Sequence, residues 1–288
     1  MNFVSSDLLL IKISRLFLCC NFIFAANKLV MSSKEVRKLV VSENIALNAT
    51  NFLIRLNSEL PLPTVNPGQF INVEINDARD VFLRRPFSIF DIDNKENSMS
   101  IIVKILGKGS RKLTEIETGD SLSVIFPLGK GFSRPAAGDK ILLIGGGSGV
   151  APMLFLAKEC GLDKQNVHIL IGAKTATDHI NVDKYNQYGN VFFTTEDGSL
   201  GERGFVTQHS VFKNSIRSFD KIYACGPDAM MKAIAKVAKE EKVFCEVSLE
   251  NLMACGFGVC LCCIEPTVKG NLCVCTDGPV FNINDLKW

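Results

Sequence analysis

The sequence predicts a multidomain protein with an antiparallel β-barrel, an α/β domain built on a parallel sheet, and a small C-terminal metal-binding domain. Short β-type segments separated by turn residues fill the chain up to about Arg134. From Gly138 onward, buried strands, glycine-rich turns and helices alternate. Near the C-terminus, six of the 11 cysteines fall within one short window. These three patterns carry the prediction.

Length and composition set the outer limits. The chain has 288 residues, which fits two domains and a small third. With 32 basic and 30 acidic residues the net charge is +2, so no basic patch favours nucleic-acid binding. The three histidines, His168, His179 and His209, are scattered, which argues against a histidine-based metal site or acid–base mechanism.

Residues 1–33 are interpreted as an N-terminal extension of uncertain role. Residues 8–26 are apolar, but Lys12 and Arg15 interrupt them, and the remaining run is too short for a membrane span of about 20 residues. A targeting segment is the alternative, because positive charge precedes the run LFLCCNFIFAA. We expect the folded protein to begin near Met31 and to have no membrane span.

Residues 34–135 are predicted to form the β-barrel. Gly and Pro turns separate the β-type segments, which suits a barrel or sandwich of short antiparallel strands. The segments read RKLVVSENIAL, NFLIRLN, QFINVEI, PFSIFDI, MSIIVKIL and DSLSVIF.

Residues 136–245 are predicted to form the α/β domain. Apolar strands are expected at 140–144, 167–171, 191–194 and 221–224, and such continuous runs are typical of a buried parallel sheet. The segments MLFLAKECG and DAMMKAIAKVAKEEK follow two of these strands with helical spacing. Residues 246–288 are too few to form a large apolar core, and a metal centre would stabilise them instead.

The cysteine window has the spacing Cys255-x4-Cys260-x2-Cys263, and Cys275 follows after eleven residues. This is the plant-type [2Fe–2S] pattern, in which one loop supplies three thiolates. Zinc is the main alternative and inert thiols the other, although zinc sites favour paired CxxC or Cys/His motifs. Such clustering also indicates a reducing compartment.

Two further cysteines lie in the window. Adjacent side chains of an extended segment point to opposite sides, so Cys262 is expected to face away from the cluster. Cys273 and Cys275 would face the same way, and spacing does not distinguish them.

Two segments of the barrel indicate a flavin site. In RRPFSI, residues 84–89, an arginine and a hydroxyl lie on an extended strand, and arginine binds phosphate through bidentate bonds. A solvated arginine pair is the alternative. Residues 107–111, GKGSR, are predicted to form a loop that opens a helix at LTEIE, whose N-terminal amides favour an anion.

The nicotinamide site is predicted at two turns of the α/β domain. Residues 145–152, GGGSGVAP, lie between a buried strand and a helix without matching the strict dinucleotide fingerprint. Residues 224–230, ACGPDAM, follow a later strand at the edge where such sheets bind ligands. A structural turn and a small buried Cys225 are the alternatives. The predicted nicotinamide contacts are Gly145, Gly146, Gly147, Ser148, Gly149, Cys225, Gly226 and Pro227.

The order of these motifs resembles the ferredoxin–NADP reductase superfamily. The segments ENLMACGFGVCLCC and CTDGPVFN are similar to the electron-transfer subunits of type B dihydroorotate dehydrogenase, and the resemblance covers about residues 35–288. It implies cluster ligands at Cys255, Cys260, Cys263 and Cys275, choosing Cys275 over Cys273. It also implies FAD contacts at Arg85, Pro86, Phe87, Ser88, Ile102, Val103, Lys104, Gly109 and Ser110.

The resemblance further implies a cytoplasmic oxidoreductase of pyrimidine biosynthesis with one FAD and one [2Fe–2S] cluster. Its partner would be an FMN-containing dihydroorotate dehydrogenase subunit, in a heterotetramer with two copies of each, and NAD would accept the electrons. This chain would not oxidise dihydroorotate alone. The alternatives are a ferredoxin:NADP⁺ oxidoreductase or sulfide dehydrogenase-type subunit, and a zinc-bearing interaction module without flavin chemistry. The preference for NAD over NADP is left open.

Overall fold

The computed structural model describes residues 34–76, 80–180 and 183–288. The predicted N-terminal extension, residues 1–33, lies outside the described residues. No helix within these three ranges is long and apolar enough to cross a membrane.

Six strands form a closed antiparallel barrel in the order β1-β2-β5-β4-β3-β6. Alternate residues point inward along each strand, so Ile71 and Val73 of β3 are fully buried in the barrel core. Helix α1 (Lys108–Thr114) connects β5 to β6. The strands are β1 (Glu35–Ala46), β2 (Asn51–Asn57), β3 (Phe70–Val73), β4 (Arg85–Asp93), β5 (Ser98–Lys104) and β6 (Ser121–Leu128).

The α/β region has a seven-stranded sheet in the order β10-β9-β8-β7-β11-β12-β15. Every residue of β7 is buried, as a central parallel strand requires. The strands are β7 (Ile141–Gly146), β8 (Val167–Ala173), β9 (Asn190–Thr195), β10 (Glu202–Arg203), β11 (Lys221–Cys225), β12 (Phe244–Ser248) and β15 (Val280–Asn282). The helices are α2 (Ala151–Glu159), α3 (Ser210–Lys213) and α4 (Asp228–Glu241).

The C-terminal segment shares its packing with the rest of the molecule. A hairpin of β13 (Ile264–Thr267) and β14 (Gly270–Cys273) follows the cysteine loop, and β15 then joins the sheet antiparallel to β12. The buried Cys263 and Cys275 belong to the same apolar cluster as Leu128 of the barrel. The cysteine segment is therefore anchored by both larger regions.

The fold class predicted from the sequence is confirmed: a barrel, a parallel α/β sheet and a cysteine-bearing C-terminal segment are all present. One local prediction is wrong. The helix expected at LTEIE begins earlier, at Lys108, and ends at Thr114. The reason is Ser110, whose Oγ accepts the backbone N–H groups of Leu106 (2.8 Å) and Gly107 (3.1 Å) and so satisfies amides at the helix start.

Candidate cofactor sites

A cavity of about 580 Å³ opens where the barrel, the α/β region and the C-terminal segment meet. Strands β4 and β5 and helix α1 form one side, and Ser148 of the glycine turn reaches it from the sheet. The predicted flavin and nicotinamide residues that line it are Arg85, Pro86, Phe87, Ser88, Ile102, Lys104, Gly109, Ser110 and Ser148.

Arg85 stands at the start of β4 with its guanidinium held by backbone oxygens. Its Nη1 donates to the carbonyl oxygens of Leu83 (2.7 Å) and Arg84 (3.2 Å). The neighbouring Arg84 makes different contacts. It donates to the Ser123 carbonyl oxygen (2.7 Å) and forms a salt bridge with Glu74 (2.6 Å). Of the two arginines, only Arg85 lines the cavity, and its fixed cation can meet a phosphate there.

Val103 differs from the other predicted flavin contacts. It is fully buried in the barrel core, because its neighbours Ile102 and Lys104 occupy the opposite face of β5 and line the cavity. Val103 can therefore reach a ligand only through its backbone.

The lining residues that the sequence analysis missed include six from the C-terminal segment: Leu249, Glu250, Asn251, Leu252, Met253 and Pro279. Glu250 is exposed to the cavity. Burial among protein atoms raises the pKa of its carboxyl, and nearby Lys104 opposes that effect. The only sequence signal was their position just before the cysteine loop and just after Cys275.

The glycine turn and the Cys225–Pro227 turn are brought together. A Cβ at Gly149 would collide with the carbonyl oxygen of Cys225, and one at Gly146 would come within 2.9 Å of Pro227. Close approach of these two turns therefore requires glycine at position 149. Cys225 is fully buried, and burial raises the pKa of its thiol well above the ordinary value, so it is no reactive thiolate.

The four predicted ligand thiols lie in two pairs. The backbone N–H of Cys260 donates to Cys255 Sγ (3.4 Å), and that of Cys275 donates to Cys263 Sγ (3.4 Å). Two thiolates for each iron is the arrangement that a Cys₄ [2Fe–2S] cluster needs.

Backbone amides surround these thiols. Burial alone would raise the pKa of Cys255, but N–H groups of Phe257, Cys260 and Val259 outweigh it and lower the pKa to about 6. Burial and then the neighbouring Cys263 thiol raise the pKa of Cys275 to about 12, so in the absence of metal its proton is retained. The donor set, thiols with converging N–H groups, fits an anionic iron–sulfur cluster.

The two additional cysteines of the window are placed differently. Cys262 is exposed, whereas Cys263 beside it is buried. Cys273 ends β14, pairs across the hairpin with Ile264, and gives its N–H to Asp277 (2.9 Å). Cys275 is the one whose N–H reaches a ligand sulfur, which supports it over Cys273 as the fourth ligand.

Comparison with known families follows the same division of the chain. Residues 250–287 match the iron–sulfur cluster binding domain of dihydroorotate dehydrogenase B. Residues 143–236 match the oxidoreductase NAD-binding domain, and residues 37–132 match the oxidoreductase FAD-binding domain.

Similar proteins agree over nearly the whole chain. A dihydroorotate dehydrogenase B (NAD(+)) electron transfer subunit of Fusobacterium nucleatum is 34% identical over 259 residues, covering 88% of this chain and 99% of that protein. The subunit of Geobacillus thermodenitrificans is 36% identical over 258 residues, with 87% and 97% covered. This chain belongs to the dihydroorotate dehydrogenase B electron transfer subunit family.

Solved structures show that this family member has a ferredoxin reductase-like fold. An NADH-dependent reduced ferredoxin–NADP oxidoreductase aligns with a TM-score of 0.76 and 28% identity over 87% of this chain and 90% of that chain. The ferredoxin reductase of carbazole 1,9a-dioxygenase, at 24% identity and a TM-score of 0.64, shares the fold.

Membership of the dihydroorotate dehydrogenase B family makes the chain an electron-transfer oxidoreductase with FAD, NAD and an iron–sulfur cluster as its cofactors. The match over residues 250–287 favours iron over the zinc alternative.

Proposed function

We propose that this chain relays electrons between an FMN-containing dihydroorotate dehydrogenase subunit and NAD⁺ in the cytoplasm, as a step of pyrimidine biosynthesis. One observation carries the proposal. A single cavity is lined by the barrel strand that bears Arg85, by the glycine turn at Ser148, and by residues 249–253 next to the cysteine loop. One bound flavin can therefore contact both the nicotinamide side and the cluster side.

The cofactors supply the redox chemistry, with FAD able to exchange a hydride with NAD(H) and single electrons with a [2Fe–2S] cluster. The residues of the chain bind and orient them. We assign the FAD phosphates to Arg85 and to the start of α1 at Gly109 and Ser110. The flavin ring is assigned to Pro86, Phe87, Ser88, Ile102, Lys104 and the backbone of Val103.

The nicotinamide is assigned to residues 145–149 and to Cys225, Gly226 and Pro227. Ser148 lines the flavin cavity. A Cβ added at Gly147 would lie 4.0 Å from Lys104 Nζ. This proximity supports a nicotinamide ring entering beside the flavin. Because the side chain of Cys225 is buried, its part in this assignment is limited to the backbone of the turn, and its thiol has no chemical role.

We assign the cluster to Cys255, Cys260, Cys263 and Cys275. We assign the surface around the exposed Cys260 to contact with the partner. Cys260 is exposed, and so are the apolar side chains of Val259 (73%), Leu261 (56%) and Leu252 (86%). An apolar surface around a redox centre suits a protein partner. We propose that the FMN subunit docks there, in an assembly of two copies of each chain.

The test is reconstitution with the FMN subunit. The complex is expected to reduce NAD⁺ when dihydroorotate is added, and this chain alone is expected not to. The purified chain should contain FAD and about two irons, and its reduced form should give a rhombic EPR signal. A colourless, zinc-containing protein would contradict the proposal.

A ferredoxin:NADP⁺ oxidoreductase-type activity is the second candidate, supported by the TM-score of 0.76 to such an enzyme. Efficient coupling to reduced ferredoxin, together with an inactive dihydroorotate mixture, would select it.

A further inference from the structure

A buried asparagine of the barrel lies directly beneath the cysteine loop. Asn72 is in the middle of β3 and is 0% exposed. Its neighbours Ile71 and Val73 point into the barrel core, so by strand alternation Asn72 points out of the barrel. That side of β3 faces residues 255 and 256.

Among the residues that the structure describes, the Asn72 side chain makes one hydrogen bond, and it is to a proposed cluster ligand. Its Nδ2 donates to the carbonyl oxygen of Cys255 (3.2 Å), 183 residues away in sequence. Its Oδ1 is buried and has no hydrogen-bond partner among the described residues. A buried amide that is only half satisfied destabilises a fold, so its presence calls for an explanation.

The loop fits closely around this amide. Gly256 has φ +80, and a Cβ added there would lie 2.8 Å from Asn72 Nδ2. The same loop directs the N–H of Cys260 at Cys255 Sγ (3.4 Å). Because the Cys255 carbonyl begins the segment that leads to Cys260, the Asn72 hydrogen bond helps to hold this sulfur-directed N–H in place.

Asn72 is also next to the flavin strand. It pairs with Pro86 of β4, inside the segment that lines the cavity. One residue thus connects the backbone of the flavin site to the first ligand of the cluster.

We propose that Asn72 is a positioning residue that holds the cluster loop on the flavin barrel and maintains the hydrogen bond that the loop gives to the Cys255 sulfur. This inference rests on the cluster site proposed above. Hydrogen bonds to the sulfurs and access of water set the potential of such a cluster. Loss of the Asn72 bond loosens this donor, which makes the cluster harder to reduce and easier to lose.

The experiment compares Asn72→Leu with a matched control in the full-length protein carrying its cofactors. The control is Asn44→Leu. Asn44 is also a barrel asparagine with a buried, unpartnered Oδ1, but its Nδ2 donates to Thr114 (3.0 Å) and Ile116 (2.8 Å), away from the cysteines. Iron release to a colorimetric chelator, the EPR spectrum of the reduced cluster, its midpoint potential and the FAD content are measured for each.

We expect Asn72→Leu to release iron about fivefold faster than wild type, the factor for one hydrogen bond of about 1 kcal/mol. Its EPR g values should shift and its potential should become more negative, while FAD is retained. Asn72→Gln keeps the amide donor, so its iron release, EPR spectrum and potential should lie between those of wild type and Asn72→Leu. Asn44→Leu should match wild type in all cluster properties. If Asn72→Leu does not fold, Gly256→Ala disturbs the same contact from the loop side and should shift the EPR spectrum likewise.

Wild-type iron release, EPR spectrum and potential in Asn72→Leu would overturn the inference, and so would an equal change in Asn44→Leu. A wild-type protein without iron would instead overturn the cluster site itself. The two failures are therefore distinguishable.

Discussion

The flavin cavity and the cysteine loop are neighbours, yet they are built in opposite ways. The cavity walls are strands β4 and β5, whose ladder hydrogen bonds and buried inner faces fix them with or without a ligand. Residues 250–263 form no strand or helix, and Gly256 and Leu261 there have positive φ values of 80 and 58. The loop takes its shape from the surfaces beneath it, and we expect the bound cluster to hold it further. The barrel should therefore tolerate loss of its cofactor, and the loop should not.

The largest expected effect is on the metal content. Cys275→Ser should lose nearly all iron, because the buried Cys275 completes the pair with Cys263, while FAD stays bound in the strand-built cavity. Cys273→Ser is the matched control and should keep about two irons per chain. Iron and flavin are counted on the same samples. Equal iron loss in both variants would remove the assignment of Cys275.

The second prediction concerns the joint between the two regions. Gly129 has φ +73, and a Cβ there would lie 2.7 Å from the Gly278 carbonyl oxygen of the C-terminal segment. Gly129→Ala should lower the free energy of unfolding by about 3 kcal/mol, since strain and collision add. Gly119 also has a positive φ, +99, but a Cβ there would have no atom within 4 Å. Gly119→Ala should therefore cost only about 1 kcal/mol of stability. Denaturant titration measures the free energy of unfolding of both variants. Equal losses would show that the contact between Gly129 and the C-terminal segment does not contribute to stability.

A smaller effect is expected at the flavin phosphates. Arg85→Ala should weaken FAD binding about tenfold, as expected for loss of a charge-assisted hydrogen bond. Iron content should not change, because Arg85 is on β4 and the thiols are held elsewhere. Arg84→Ala is the control, since Arg84 bonds to Ser123 and Glu74 outside the cavity. Flavin release on dilution reports the affinity, and an equal loss in both variants would contradict the assignment.

The smallest effect is expected on lowering the pH, and it concerns the stability of the α/β region rather than the flavin cavity or the cysteine loop. Burial lowers the pKa of His168, His179 and His209, all in the α/β region. A histidine with a lowered folded pKa is protonated more readily in the unfolded chain. Its contribution to stability is complete above the unfolded pKa of about 6.5 and falls as pH drops below that value. The melting temperature should therefore decrease by a few degrees between pH 7 and pH 5.5. A melting temperature that rises over this range would contradict the direction.

The sequence could predict much of this because its signals are local. Turn residues and alternation mark the barrel strands, and continuous apolar runs mark β7 and β8. The spacing of Cys255, Cys260 and Cys263 is a property of one short segment, so the type of cluster follows from the order of residues alone. Even the failure at α1 is local: the Ser110 side chain starts the helix earlier than the pattern LTEIE indicates.

Other features depend on residues that are far apart in the chain. The sequence by itself determined the element types, the thiol spacing and the arginine on its strand. Only the tertiary structure brought Glu250 into the flavin cavity, turned Val103 into the barrel core and placed Asn72 under Cys255. The physical reason is that strand periodicity determines which residues share a face of a strand. What packs against that face depends on segments that are as much as 183 residues apart in the chain.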